Sequence, residues 1–203
     1  MNDEKQLVLF FRQGTEINNV SLASELSSKF ELLKEPVVLP FNANNPNQPL
    51  IVFEQGDIKL FVSISDISFS YNSELHKELY DTVMDIIEYF EELDISFERM
   101  GYISTFIHNK EDKEKFRKNI FNEKASIDSE FQVSWYNKEL IDSVSVNVWI
   151  KGITDMINHV EVVSVYDINT PFDEVYNISG EFLRNFIKQC DKYIEDKEKR
   201  LYS

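Results

Sequence analysis

The stretch Ser73–Ile107, SELHKELYDTVMDIIEYFEELDISFERMGYISTFI, changes period in its middle. In its first part Leu75, Leu79, Val83, Ile86, Phe90 and Leu93 step by four and three residues, the spacing that gathers apolar side chains on one face of a helix. Ser73 stands where an N-cap belongs, because its hydroxyl can accept from an orphan N–H of the first turn. After Asp94 the pattern restarts, and Ile95 to Ile107 reads as one long strand.

The same succession is met on both sides of that restart. Upstream, Leu7 to Phe11 reads as a buried strand ended by Gly14. A helix is predicted from about Ser21, with Leu22, Leu26, Phe30 and Leu33 on one face and Pro36 as its stop. Val37 to Leu39 reads as a short strand, and Asn42 to Pro49 as a loop. Leu50–Glu54 and Ile58–Ser65 flank Gln55-Gly56-Asp57, a hairpin signal. The apolar parity then moves from Ile58, Leu60, Val62 and Ile64 to Ile67, Phe69 and Tyr71, which predicts a bulge near Asp66 or a change of sheet face.

Downstream of Ile107 come a charged helix, Lys110 to Phe121, and strands at Phe131–Tyr136, Val144–Ile150 and Val160–Ile168. Ser179 caps a last helix whose face carries Leu183, Phe186, Ile187, Cys190 and Ile194. Each half, 1–94 and 95–203, reads strand–helix–three strands–helix. The expected fold class is α+β: antiparallel sheet packed on one face by long helices, a pseudo-duplicated unit forming one compact body. The TATA-binding fold shares that arrangement in shape, but meets DNA with a basic surface that this chain lacks.

The chain carries 36 acidic and 21 basic residues in 203, a net charge of −15. Such a field repels nucleic acid and anionic membranes and favours a basic protein partner, a nucleic-acid-binding effector included. No apolar segment approaches the roughly 18 residues needed to span a bilayer. A single cysteine, Cys190, precludes an internal disulfide and fits a reducing compartment. With no basic start before the short apolar run at Leu7, a cytoplasmic protein is expected.

Chemistry-bearing motifs are sparse. Five glycines, none close to another, leave no Gly-rich phosphate cradle. His76, His108 and His159 read as surface or loop residues, and their spacing gives no metal site. Cys190 reads as a buried small hydrophobe. Asp155, Glu161, Asp167 and Asp173 could gather near strand ends, but nothing in their spacing selects them as an acid–base pair. No cofactor is expected.

Two features are more specific. Glu74, Glu78, Asp81, Asp85, Glu88 and Glu92 form a carboxylate stripe along the Ser73 helix, roughly 100° round from its apolar stripe. Like charges at these steps work against the helix, and Lys77 is the only basic residue between Ser73 and Leu93. The stripe therefore reads either as a solvated face or as a dock for a basic partner. Phe61, Trp149 and Tyr136 point opposite the apolar registers of their strands, as aromatics at an interface do.

The segment Glu98-Arg99-Met100-Gly101-Tyr102-Ile103 resembles the Arg-hydrophobe-Gly-hydrophobe strand of a sporadically distributed prokaryotic family of uncharacterised α+β proteins. Tyr166-Asp167-Ile168 and the Ser179 helix fit later landmarks of that family, while Ile103 and Ser104 depart from its following Arg-Tyr. The resemblance implies the fold order above and no activity; the family's patchy distribution implies a setting of phage–host or toxin–antidote conflict. The expected function is a non-catalytic acidic protein that neutralises or regulates a basic partner, with the stripe, Phe61 and Trp149 as its interface and a homodimer allowed. The alternative is a small-ligand binder or enzyme with a pocket between sheet and helices.

Overall fold

The structure is a computed structural model that describes residues 4–45, 48–56, 58–72, 77–121, 132–154 and 162–203. The chain opens with strand β1 (Glu4–Phe11) and helix α1 (Asn19–Lys29), then a short 3-10 turn (Glu31–Leu33) and the two-residue strand β2 (Val37–Val38). Strands β3 (Ile51–Gln55), β4 (Ile58–Val62) and β5 (Asp66–Asn72) lead to helix α2 (Lys77–Glu92). The second half runs β6 (Phe97–His108), α3 (Lys110–Phe121), β7 (Gln132–Ile141), β8 (Val144–Ile153), β9 (Val162–Asn169) and α4 (Gly180–Tyr202).

These bounds follow from local chemistry. Asn18 caps α1 by accepting from the Ser21 N–H at 3.0 Å, so that helix starts before the predicted Ser21. Ser179 caps α4 as predicted, accepting from the Phe182 N–H at 3.2 Å. Ser73, the predicted cap of α2, and Phe131 lie outside the described residues.

The parity change near Asp66 is neither a bulge nor a change of face. The chain reverses at 63–65, and β5 is a separate strand paired with β4. Ser63 Oγ donates to Asp66 Oδ2 at 2.7 Å and accepts from the Asp66 N–H at 3.1 Å. Short polar side chains that bond nearby backbone close turns in this way. The predicted 58–65 strand overran because Ile64, at the turn, keeps the apolar rhythm while exposed to solvent.

Among the described residues all nine strands join one antiparallel sheet in the order β2-β3-β4-β5-β1-β6-β9-β8-β7. The two halves meet at its centre, where β1 pairs with β6. Outward from that seam one half runs β1, β5, β4, β3 and the other β6, β9, β8, β7. Counted along the chain without β2, each is first strand, fourth, third, second.

Residues directly opposite in a ladder share a face. On the first face Phe53, Leu60, Phe69, Leu7, Tyr102, Ile168 and Val148 therefore form one row across seven strands, and all are buried. This row belongs to a single hydrophobic cluster with Leu22 and Leu26 of α1, Met84, Ile87 and Phe90 of α2, and Leu183 and Phe186 of α4. The Phe90 ring meets Phe11 and Phe97 at 6.2 and 5.9 Å between centroids. Each such buried side chain contributes roughly 1.5–3 kcal/mol.

Candidate functional site

The second face is formed by the alternate residues, and it remains largely in contact with solvent. One row runs Glu54, Lys59, Ser70, Gln6, Ile103, Asp167, Trp149, Tyr136, and every member is half-buried or exposed. Trp149 and Tyr136 are cross-strand neighbours on β8 and β7, with ring centroids 4.7 Å apart. They stay 41% and 45% exposed. The Tyr136 hydroxyl donates to Asn147 Oδ1 at 2.8 Å, which fixes its ring over the strand. Clustered aromatics exposed to water are a recurrent anchor for a partner surface.

Phe61 lies on the same face but is half-buried, in the row of Val52, Ser68 and Val8. Five interstrand steps separate β4 from β8, roughly 24 Å along the sheet. Phe61 and Trp149 thus share a face without forming one cluster. Arg99, from the Arg99–Tyr102 motif of β6, also sits here, with its guanidinium 4.5 Å from the Phe10 ring centroid and 4.1 Å from that of Phe172. A Cβ on Gly101 of that motif would meet the Asn169 side chain, so the glycine lets Asn169 lie across β6.

The ladder register assigns four acids (Glu4, Glu54, Asp66, Asp167) and four bases (Lys59, Arg99, Lys138, Lys151) to the second face. Its charges balance, so the surplus of 15 negative charges lies elsewhere on the molecule.

The carboxylate stripe of α2 belongs to the other layer, since Phe90 of that helix packs on the first face. Glu74 and the side chain of Glu78 lie outside what the structure describes. Arg184 of α4 reaches Asp81 at 3.3 Å and Glu88 at 3.7 Å, and Lys29 of α1 reaches Glu92 at 2.8 Å. Asp85 is exposed. The cations missing from the helix's own sequence are supplied by its neighbours. The stripe and the aromatics, read from sequence as one interface, stand on opposite layers with the sheet between them.

A cavity of about 840 Å³ opens beside α4, bordered among others by Lys5, Phe106, His108, Asp112, Glu198 and Tyr202. Two polar networks reach it. In one, the Lys5 ammonium and the Tyr102 hydroxyl both donate to Asp191 Oδ1, at 2.7 and 2.6 Å. In the other, the Tyr166 hydroxyl donates to Glu198 Oε1 at 2.5 Å, and His108 Nε2 lies 3.2 Å from Glu198 Oε2. The His108 ring stacks on Tyr202 at 3.9 Å. Burial pushes the Tyr102, Tyr166 and Tyr202 hydroxyls well above the ordinary tyrosine range, so they stay protonated. Glu195 is likewise engaged, by Lys199 at 2.6 Å. Of the cavity's carboxylates, Asp191 and Glu198 tie α4 to the sheet.

His108 is buried, contrary to the surface or loop position read from sequence. It continues the inward alternation Tyr102, Ser104, Phe106, His108, and that parity was the available signal. His76, His159, Asp155 and Glu161 lie outside the described residues. Asp167 is on the second face and Asp173 in an exposed turn. Cys190 is buried, as expected, and its thiol is pushed up by burial. Among the described residues no group of His, Cys, Asp and Glu could hold a metal ion, and no helix is long and apolar enough to cross a membrane. No protein-family model matches the chain, and no curated protein matches it in sequence.

Proposed function

We propose that this chain is a non-catalytic binding protein that holds a basic protein partner on the second face of its sheet, with Trp149 and Tyr136 as the anchor. One observation carries the reading: a closely packed, exposed aromatic pair lies on a face whose ladder charges balance, in a molecule whose net charge is −15. Aromatic anchors concentrate binding energy. Acid surplus away from the contact speeds encounter with a basic partner without burying unpaired carboxylates. The α2 stripe is then part of the steering field.

The fold suits this use. We infer that the long helices keep to the first face and leave the second to the partner. The matching strand order of the two halves supports descent from one duplicated strand–helix–three strands–helix unit. A single buried thiol suits a reducing, cytoplasmic setting. Neutralising a basic effector in phage–host or toxin–antidote conflict is the role that this build and the Arg99–Tyr102 resemblance suggest together. A small-ligand or enzymatic site in the cavity beside α4 is the second reading. The convergence of His108 and Glu198 favours it, and the commitment of the cavity's carboxylates to the protein's own donors weighs against it.

The test is affinity capture from cell extract at low and high salt, with the retained protein identified by mass spectrometry. A basic protein should be retained at low salt, released at high salt, and lost with Trp149→Ala and Tyr136→Ala, while Asp85→Lys only weakens capture. Retention that ignores both aromatic substitutions overturns the reading.

A further inference from the structure

The sheet ends differently on its two sides. One edge is β2, two residues long. The other is β7, ten residues long, and among the described residues its outer edge pairs with no strand. Short strands, charged side chains, prolines and bulges are the usual devices against edge-to-edge pairing, and of these β7 carries only the charges of Lys138 and Glu139, which offset each other. β7 has no proline, and its register with β8 runs unbroken from Gln132 opposite Ile153 to Ile141 opposite Val144.

The turn after β7 shows which backbone groups face outward. Asp142 and Ser143 both have positive φ, 48° and 69°, as a two-residue type I′ hairpin requires. In that hairpin the flanking pair, Ile141 and Val144, exchanges both of its hydrogen bonds. Alternation along the ladder then turns the backbone groups of 141, 139, 137, 135 and 133 toward β8. The N–H and C=O groups of 132, 134, 136, 138 and 140 point away from the sheet.

We propose that the outer edge of β7 pairs antiparallel with β7 of a second copy, across a twofold axis at Asn137. Such an axis keeps the two faces of each sheet aligned, so opposed residues must share parity. Centring on Lys138 or Glu139 would set like charges against each other. Centring on Asn137 instead sets Tyr136 opposite Lys138 of the partner subunit, Trp135 opposite Glu139 of the partner subunit, and Ser134 opposite Leu140 of the partner subunit. The ammonium then meets the exposed Tyr136 ring, already packed at a tilt against Trp149. Leu140, 72% exposed in the single chain, gains cover. About eight backbone hydrogen bonds close the ladder. Charge permits a second copy here: the edge carries Lys138 and Glu139, zero net, on a strongly acidic molecule. The paired sheets bring two Trp149–Tyr136 anchors to one surface, so the dimer stands apart from the identity of any partner.

Light scattering on the purified chain tests this. The wild type should have dimeric mass, and the dimer should tighten as salt rises, because screening relieves acid repulsion. Lys138→Pro removes an outward donor while leaving the bonds to β8, so it should fold with unchanged circular dichroism and be monomeric. Asn137→Cys should form an intermolecular disulfide on oxidation, since directly opposed residues at a non-hydrogen-bonded site lie roughly 4.5 Å apart. Tyr136→Cys, offset from its own copy by two residues, should not. A monomeric wild type, a dimer that survives Lys138→Pro, or cross-linking at 136 in preference to 137 overturns the proposal.

Discussion

The guanidinium of Arg184 on α4 sits 3.3 Å from the carboxylate of Asp81 on α2, and the same group reaches Glu88 about two helical turns further along. A helix that is all acid on one side is thereby matched by a cation 103 residues away in the chain. All three side chains are partly exposed, so the contribution is modest. Arg184→Ala should lower stability by about 0.5 kcal/mol and Arg184→Glu by roughly twice that. Urea unfolding at two salt concentrations checks this, and both effects should shrink as salt rises.

Asp191 ties α4 to the sheet through two donors, Lys5 on β1 and Tyr102 on β6. Tyr102 is fully buried and its hydroxyl shares in no solvent. Tyr102→Phe keeps the ring's packing and removes one charge-assisted bond, so it should cost roughly 1–2 kcal/mol. Lys5→Met in the Tyr102→Phe background should cost less than the two single effects combined, because both act on one carboxylate. A double-mutant cycle by denaturant unfolding measures that coupling.

The β7–β8 hairpin turns on two residues that carry side chains at positive φ, where glycine is easier. Ser143→Gly should stabilise the chain by roughly 0.5–1 kcal/mol, with an upward shift in thermal midpoint. The same change at Ser145, inside β8, should destabilise it, because a strand interior gains nothing from glycine's freedom.

Stability should fall on the alkaline side. Tyr102, Tyr166, Tyr193, Tyr202 and Cys190 all have their pKa raised, with burial as the leading cause. A group whose folded pKa lies above its unfolded value favours the fold while protonated. Its contribution is complete below the unfolded value, 10.0 for tyrosine and 9.0 for cysteine, and is lost as pH climbs toward the folded one. The urea midpoint should therefore drop as pH rises beyond about 9–10. Tyrosinate absorbance should rise together with unfolding, and a thiol reagent should reach Cys190 only when the fold opens.

Much of the secondary structure could be read directly from periodicity. The stripe of α2, the face of α4 with its Ser179 cap, and the restart after Asp94 are local patterns, and local patterns survive in the folded chain. Gly152 shows where such reading stops. In sequence it interrupts the β8 alternation without explanation; in the fold the Phe116 ring of α3 lies directly over it, and a Cβ there would overlap that ring. The approach of α3 to β8 is not written in either segment alone.

By itself the sequence determined an acidic α+β chain, and it marked Trp149, Tyr136 and Phe61 as turned away from the core, because alternation along a strand is a short-range property. Only the tertiary structure decided that the halves join through β1 and β6 into one sheet, that Phe61 is five strands from Trp149, and that Arg184 and Lys29 answer the α2 carboxylates. Ladder order and ion pairs between elements depend on contacts between residues far apart in the chain, and no local spacing encodes which distant segment will supply the neighbour.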